Sequence, residues 1–192
     1  MVAIIKYNAG NIASVKNAVE RLGFDCVITD DINKIQNANK VIFPGVGEAK
    51  SAMNHLTNNG LSGCIKSLLQ PTLGICLGLQ LLCQYSEEGD TECLKIFETS
   101  VKKFPADDIV PHMGWNNISI NTEPLFKGLN KDDAVYFLHS YYAGICEQTI
   151  ATCNYILPFS AAMRKDNFYA TQFHPEKSGD VGELILKNFL EL

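Results

Sequence analysis

The sequence predicts one mixed α/β domain over residues 1–192, with a mostly parallel central sheet flanked by helices and a smaller antiparallel β region in the C-terminal half. Three observations carry this expectation. Through the first half, apolar β-type runs alternate with stretches of helical spacing, the rhythm of βαβ units. From about residue 93 the rhythm changes to short β-rich pieces separated by turn residues. No repeat, low-complexity stretch or linker interrupts the chain, and 192 residues are enough to bury one substantial core.

The elements follow in order. Val2–Lys6 reads as a strand, and Ile12–Leu22 has helical spacing. Between them Asn8-Ala9-Gly10-Asn11 lacks the full glycine pattern of a dinucleotide or phosphate loop and reads as a structural turn. Strands are expected at Asp25–Thr29 and Lys40–Phe43, and helices at Ala49–Thr57 and Leu61–Leu69. A short buried strand at Thr72–Ile75 leads into Leu79-Gln80-Leu81-Leu82, which is helically spaced. The later β pieces are Leu94–Phe104, Trp115–Ile120, Ala134–Leu138, Thr149–Tyr155, Ser160–Arg164 and Phe168–Phe173. Most are expected to pair antiparallel through turns such as Lys165-Asp166-Asn167, before a closing helix at Val181–Leu190.

Composition excludes several classes of function. Hydrophobic residues make up 46% and charged residues 19%, which is a folding rather than a disordered composition. A net charge of −5 with scattered lysines argues against nucleic acid as a partner. No apolar run is long enough to span a membrane, and Met1-Val2-Ala3-Ile4-Ile5 passes straight into a strand pattern, so a cytoplasmic protein is expected. The seven cysteines are odd in number, dispersed and free of Cys-x-x-Cys spacing. They suggest neither a disulfide framework nor a metal site, and no cofactor is expected.

One cysteine has a special setting. Cys76 stands between glycines in Gly74-Ile75-Cys76-Leu77-Gly78, where the apolar strand gives way to a helix. That is the arrangement of a nucleophile elbow, in which small neighbours permit a strained turn and leave the nucleophile uncovered. A helix starting there also supplies unpaired N–H groups that favour a thiolate and an oxyanion. Buried close packing is the simpler alternative for Gly-x-Cys-x-Gly taken alone.

A cysteine nucleophile needs a base, and four histidines are available. His174 ends an apolar strand in Gln172-Phe173-His174-Pro175-Glu176. Pro175 disfavours helical backbone at His174, and an extended chain projects positions 174 and 176 to the same side. Glu176 would then hold the imidazole's tautomer, making Cys76, His174 and Glu176 a candidate triad. Pro44-Gly45-Val46-Gly47 follows the strand Val41-Ile42-Phe43, and the N–H groups of Val46, Gly47 and Leu77 are candidate oxyanion donors. An ordinary βα turn explains that Gly-x-Gly equally well. Gln80 lies one helical turn after Cys76 on the same face, although a surface helix position is its plain alternative.

Taken together, the elbow Gly-Ile-Cys-Leu-Gly-Leu-Gln, the late His-Pro-Glu and the chain length resemble the class I glutamine amidotransferases. The resemblance narrows through Tyr7–Val15, Pro44–Gly47, Ser86-Glu87-Glu88-Gly89, Pro111-His112-Met113-Gly114-Trp115-Asn116, His139-Ser140-Tyr141-Tyr142 and Lys165–Tyr169. These blocks are similar, in order and across essentially the whole chain, to the glutaminase subunit of imidazole glycerol phosphate synthase. The resemblance implies flavodoxin-like layering and hydrolysis of L-glutamine through a Cys76 thioester. It also implies a heterodimer with a (β/α)8-barrel cyclase that uses the ammonia for histidine biosynthesis. Gln80, Glu88, Ser140 and Tyr141 would bind glutamine, and Met113, Trp115, Asn116, Tyr136 and Lys177 would face the cyclase. A core position is the alternative for Trp115, the single tryptophan. His112 and His139 read as structural or interface residues and His55 as a helix surface residue. The segment Glu92–Glu98 departs from a stretch that is often richer in glycine and aliphatic residues, so its loop is expected to differ locally. A paralogue serving another synthase, such as one aminating a surface-polysaccharide sugar, is the alternative function.

Overall fold

The structure is a computed structural model that describes residues 1–7, 12–121 and 123–192; the turn expected at Asn8–Asn11 lies outside the described residues. Apolar, β-branched runs form β1 (Val2–Ile5), β2 (Cys26–Thr29), β3 (Lys40–Gly45) and β4 (Thr72–Cys76), with all of β1 and β4 buried. Between them lie α1 (Ile12–Arg21), α2 (Ile32–Gln36), α3 (Ala49–Asn58) and α4 (Leu61–Lys66), and α5 (Leu77–Leu82) follows β4 directly. In α1, Val15, Ala18 and Val19 are buried at the i, i+3, i+4 spacing of a single helix face. The five-residue α2 is not anticipated by periodicity, being too short to repeat. Its start is set by the Asp31 carboxylate, which accepts from the Asn33 and Lys34 N–H groups at 2.9 and 3.4 Å.

The remaining strands are β5 (Tyr85–Ser86), β6 (Thr91–Glu92), β7 (Ser100–Lys103), β8 (His112–Asn117), β9 (Ser119–Ile120), β10 (Ala134–His139), β11 (Tyr141–Ala143), β12 (Thr149–Tyr155), β13 (Leu157–Lys165) and β14 (Phe168–Thr171). The closing helix α6 spans Gly179–Leu190. Strands align in the main sheet as β2-β1-β3-β4-β14-β13-β12-β9. The run from β2 to β14 is parallel, and β13, β12 and β9 continue it antiparallel. Much of the antiparallel region is therefore an extension of the parallel sheet. β8 and β10 form a separate antiparallel ribbon, and β11, β7, β5 and β6 a small third sheet.

Two expectations about the second half are corrected. Within Leu94–Phe104 only Ser100–Lys103 is a strand. The N–H groups of Leu94, Lys95, Ile96 and Phe97 instead bond the Leu81, Cys83 and Leu82 carbonyls at 2.8–2.9 Å, satisfying acceptors left open at the end of α5. Trp115–Ile120 is divided between β8 and β9, which belong to different sheets.

Side-chain alternation along β1 separates two cores. Val2 and Ile4 pack with Val15 and Val19 of α1 and with Ile185 and Phe189 of α6. Ala3 and Ile5 pack with Ile35 of α2, Leu56 of α3, Ile65 of α4 and the leucines of α5. Helices thus cover both faces of the parallel half, leaving the carboxyl edge of its strands for a site.

One very close approach is that of α5 on β3, where a Cβ on Gly78 would overlap the Phe43 carbonyl oxygen. Gly78→Ala should lower stability by about 2–3 kcal/mol in urea unfolding. Gly63→Ala, in α4 with no atom within 4 Å of the added Cβ, should be neutral or stabilise by up to about 1 kcal/mol.

Candidate active site

β4 passes into α5 without a loop, so Cys76 is both the last strand residue and the N-cap of the helix. It makes the reversal with φ 53° and ψ −107°, outside the regions ordinarily open to a non-glycine residue. This is the backbone of a nucleophile elbow. The Cys76 sulfur lies 3.6 Å from Gln172 Nε2 and 3.7 Å from the Leu138 carbonyl oxygen.

His174 arrives from the neighbouring parallel strand β14, three residues past its end. Its own backbone is extended, at φ −99° and ψ 96°, but Pro175–Lys177 forms a 3₁₀ turn rather than a continued strand. Proline suits the first position of such a turn because its missing N–H has no acceptor there. The expected pairing with Glu176 is present through the turn and not through strand alternation: His174 Nδ1 lies 2.9 Å from Glu176 Oε1, with both side chains almost completely buried. β10 fixes this segment from the other side. The His174 N–H donates to the Tyr136 carbonyl at 2.9 Å, the Tyr136 N–H donates to Ser178 Oγ at 2.9 Å, and that hydroxyl donates to the His174 carbonyl at 2.7 Å.

Burial works against a charged His174, but the charge of Cys76, followed by the hydrogen bond and charge of Glu176, outweighs it and pushes the imidazole up to about 10. With Nδ1 committed to the carboxylate, Nε2 is the nitrogen left for the sulfur. Elsewhere burial raises the thiols of Cys83, Cys64, Cys93 and Cys153, the last two to about 12, which keeps them neutral. All seven cysteines are free, and among the described residues no three metal-ligating side chains converge.

A cavity of about 340 Å³ opens beside Cys76. Val46, Gly47, Leu77, Gln80, Glu88, Ser140, Tyr141 and His174 all border it, so every residue expected in the oxyanion and glutamine-binding sets meets at one place. Pro111, Leu138 and His139 complete its wall. The Gly45–Cys76 register pair between β3 and β4 brings the Val46-Gly47 turn alongside the nucleophile. Glu88 Oε2 accepts from the Ala49 N–H at 2.8 Å at the start of α3; burial raises its pKa and that hydrogen bond opposes the rise. Gln80 is buried, which removes the surface-helix alternative, and its Nε2 donates to the Tyr141 carbonyl at 2.9 Å and to Gln172 Oε1 at 3.1 Å.

The residues expected to face a partner fall on the β8–β10 ribbon and just beyond it. Met113 and Trp115 are 66% and 58% exposed, so Trp115 is not a core residue. It sits opposite Tyr136 in register, the rings edge to face at 6.1 Å. Lys177 is exposed and Asn116 half-buried, while His112 and His139 are buried beneath the ribbon. Burial pushes His112 down to about 4 and His139 to about 3, so both are neutral. His139 Nδ1 must donate to the Tyr141 carbonyl, 2.7 Å away, and its bare Nε2 therefore accepts from His112 Nδ1 at 3.0 Å. Sequence reasoning missed the role of Gln172. Its signal was present: a lone amide within a largely apolar strand run has to be paired once buried.

Because Cys76 is the first group holding His174 up against burial, Cys76→Ala should lower the imidazole pKa well below about 10. An NMR titration of isotope-labelled histidine checks this; an unchanged value would detach the two groups.

A family model described as glutamine amidotransferase class-I matches residues 3–192. The imidazole glycerol phosphate synthase subunit HisH of Bacteroides fragilis (strain YCH46) is 60% identical over 194 residues, covering 100% of this chain and 99% of that one. The subunit of the same name from Pasteurella multocida (strain Pm70) is 48% identical over 192 residues, covering 99% and 97%. A solved glutamine amidotransferase superposes with a TM-score of 0.77 at 20% identity, covering 99% of this chain and 97% of that chain, which shows the shared fold. The chain belongs to the class I glutamine amidotransferase family and, within it, to the HisH subunits of imidazole glycerol phosphate synthase.

Proposed function

We propose that this chain hydrolyses L-glutamine to glutamate and ammonia and passes the ammonia to a (β/α)8-barrel cyclase, its heterodimer partner in making imidazole glycerol phosphate and aminoimidazole carboxamide ribotide. The observation that carries the reading is the Cys76–His174–Glu176 arrangement at the edge of a cavity in a chain 60% identical to a HisH subunit. The Cys76 thiolate attacks the side-chain carboxamide carbon, and its oxygen becomes an oxyanion. The N–H groups of Val46, Gly47 and Leu77 are the donors for it, each worth about 3–4 kcal/mol in a transition state. Imidazolium at His174 gives its proton to the departing nitrogen as the C–N bond breaks, leaving a glutamyl thioester and ammonia. Neutral His174 then takes a proton from water, whose oxygen attacks the thioester carbonyl, and glutamate leaves as the thiolate returns. Glu176 holds the ring and stabilises its charged form.

Gln80, Glu88, Ser140 and Tyr141 supply the polar lining that binds glutamine, and no cofactor enters the chemistry. Met113, Trp115, Asn116, Tyr136 and Lys177 form the partner face. Two adjacent apolar side chains, Met113 and Trp115, exposed on one ribbon support that assignment. Among the described residues no helix is long and apolar enough to cross a membrane, and the reading is of a cytoplasmic enzyme. The HisH relatives favour the histidine-pathway partner over a sugar-aminating synthase.

Cys76→Ser should reduce glutamine hydrolysis by more than about 10³-fold while the complex still makes product from ammonium salts. Loss of both activities would make Cys76 structural. Trp115→Ala should weaken the complex with the cyclase by about 2 kcal/mol, or roughly 30-fold in Kd, as expected of a central aromatic anchor. Calorimetric titration of the two subunits measures it, and an unchanged Kd would move the interface elsewhere.

A further inference from the structure

We propose that Gln172 is a positioning residue for the nucleophile, its carboxamide N–H holding the Cys76 sulfur as a hydrogen-bond acceptor with a polarity dictated by the Tyr141 carbonyl through Gln80. The inference rests on Cys76 being the nucleophile and adds a residue to that site.

Gln172 is completely buried, and a buried carboxamide is costly unless its oxygen and nitrogen are both paired. The two ends of the group are nearly identical in shape, so only their partners can distinguish them. Here the partners do so unambiguously. A backbone carbonyl can only accept, so the Gln80 atom 2.9 Å from the Tyr141 oxygen is the nitrogen. The same nitrogen faces Gln172 at 3.1 Å, and the Gln172 atom it meets must be oxygen. That leaves the Gln172 NH₂ for the sulfur, 3.6 Å away. Reversing the Gln172 group would set two NH₂ groups against each other and an oxygen against the sulfur. The arrangement therefore has one favourable sense, running from a fixed peptide carbonyl to the reactive atom.

Its chemical consequence follows from the sulfur's other polar neighbour. The Leu138 carbonyl, 3.7 Å away, can accept from an S–H but repels a thiolate. An N–H donor on the opposing account favours the thiolate and becomes charge-assisted when the proton leaves. It also restricts the sulfur to one rotamer, which matters for attack on a carbon held in the cavity. The ionisable groups that sense the charge on Cys76 are His174, from the segment after β14, and Tyr7, just past β1. Both remain when Gln172 is changed, and the Gln80 side chain that loses its Gln172 acceptor keeps the Tyr141 carbonyl, so the midpoint measured on Cys76 itself is the readout specific to the amide.

The test uses the full chain in complex with its cyclase. The rate of iodoacetamide alkylation is followed against pH on the Cys76 peptide by mass spectrometry, alongside steady-state glutamine hydrolysis and thermal unfolding. Gln172→Met keeps the length without the donor, and Gln172→Asn keeps the amide without the reach; whichever folds is read in the same way. The alkylation midpoint should rise by about one pH unit, and kcat should fall about tenfold at neutral pH with KM changed less than about threefold. A folded variant with an unmoved midpoint and kcat within about twofold of wild type would overturn the role of Gln172. Persistent glutamine hydrolysis in Cys76→Ser would overturn the nucleophile instead, so the two failures are distinct.

Discussion

The contact of α5 with β3 and β4, closed up at Gly45, Gly74 and Gly78, sustains the reactive turn. Because no loop separates β4 from α5, the whole change of direction falls on Cys76. A residue held at φ 53° costs about 1–3 kcal/mol. All six residues of α5 are buried, including Leu77, Leu79, Leu81 and Leu82. At about 1.5–3 kcal/mol for each buried leucine, the helix's packing exceeds the strain several-fold. That packing requires Gly78 to lie on the Phe43 carbonyl, and Gly45 to fit beneath Leu77 and the Tyr7 hydroxyl. A side chain at either position lifts the helix, and a lifted helix no longer holds the turn.

Parallel pairing then assembles the other groups. β4 lies between β3 and β14, both running the same way, so all three end at one edge of the sheet. Gly45 pairs with Cys76 and Thr171 with Ile75, which brings the Val46-Gly47 turn to one side of the sulfur and His174 to the other. An antiparallel β14 would have delivered its opposite end. The far wall comes from Leu138, His139, Ser140 and Tyr141, where β10 passes into β11.

Much of this was legible in the residues, and the gaps have physical causes. The βαβ rhythm and the glycines around Cys76 are local signals, and they located β1 to β4 and the elbow. His174 and Glu176 were paired correctly for an incorrect reason, because the same proline that excludes a helix before it also begins a 3₁₀ turn after it. Trp115 could not be assigned to core or surface until its strand had a partner, since burial is decided by the ribbon's pairing with β10. The need of Gln172 for partners was a local signal, but their identity was not, since Cys76 and Gln80 are 96 and 92 residues away. No window along the chain contains that information. The short α2 and the capping of α5 by Leu94–Phe97 were missed likewise, since each is specified by hydrogen bonds and not by periodicity.

β10 is where the exposed ribbon and the site become one object. Its Tyr136 peptide holds the His174 segment by two hydrogen bonds, one direct and one through Ser178, and its Leu138 carbonyl lies 3.7 Å from the Cys76 sulfur. On the same strand Tyr136 and Leu138 stand in register with Trp115 and Met113, the exposed apolar pair of β8. Below the ribbon, neutral His112 and His139 continue the hydrogen bonding to the Tyr141 carbonyl, which also receives Gln80. A force that shifts β10 by a few tenths of an ångström acts on the base through these two hydrogen bonds and on the sulfur across a single contact. Interiors at crystal-like density do not absorb such a shift locally. The separation between the apolar face and the nucleophile is therefore one strand thick, and β10 is the element common to both.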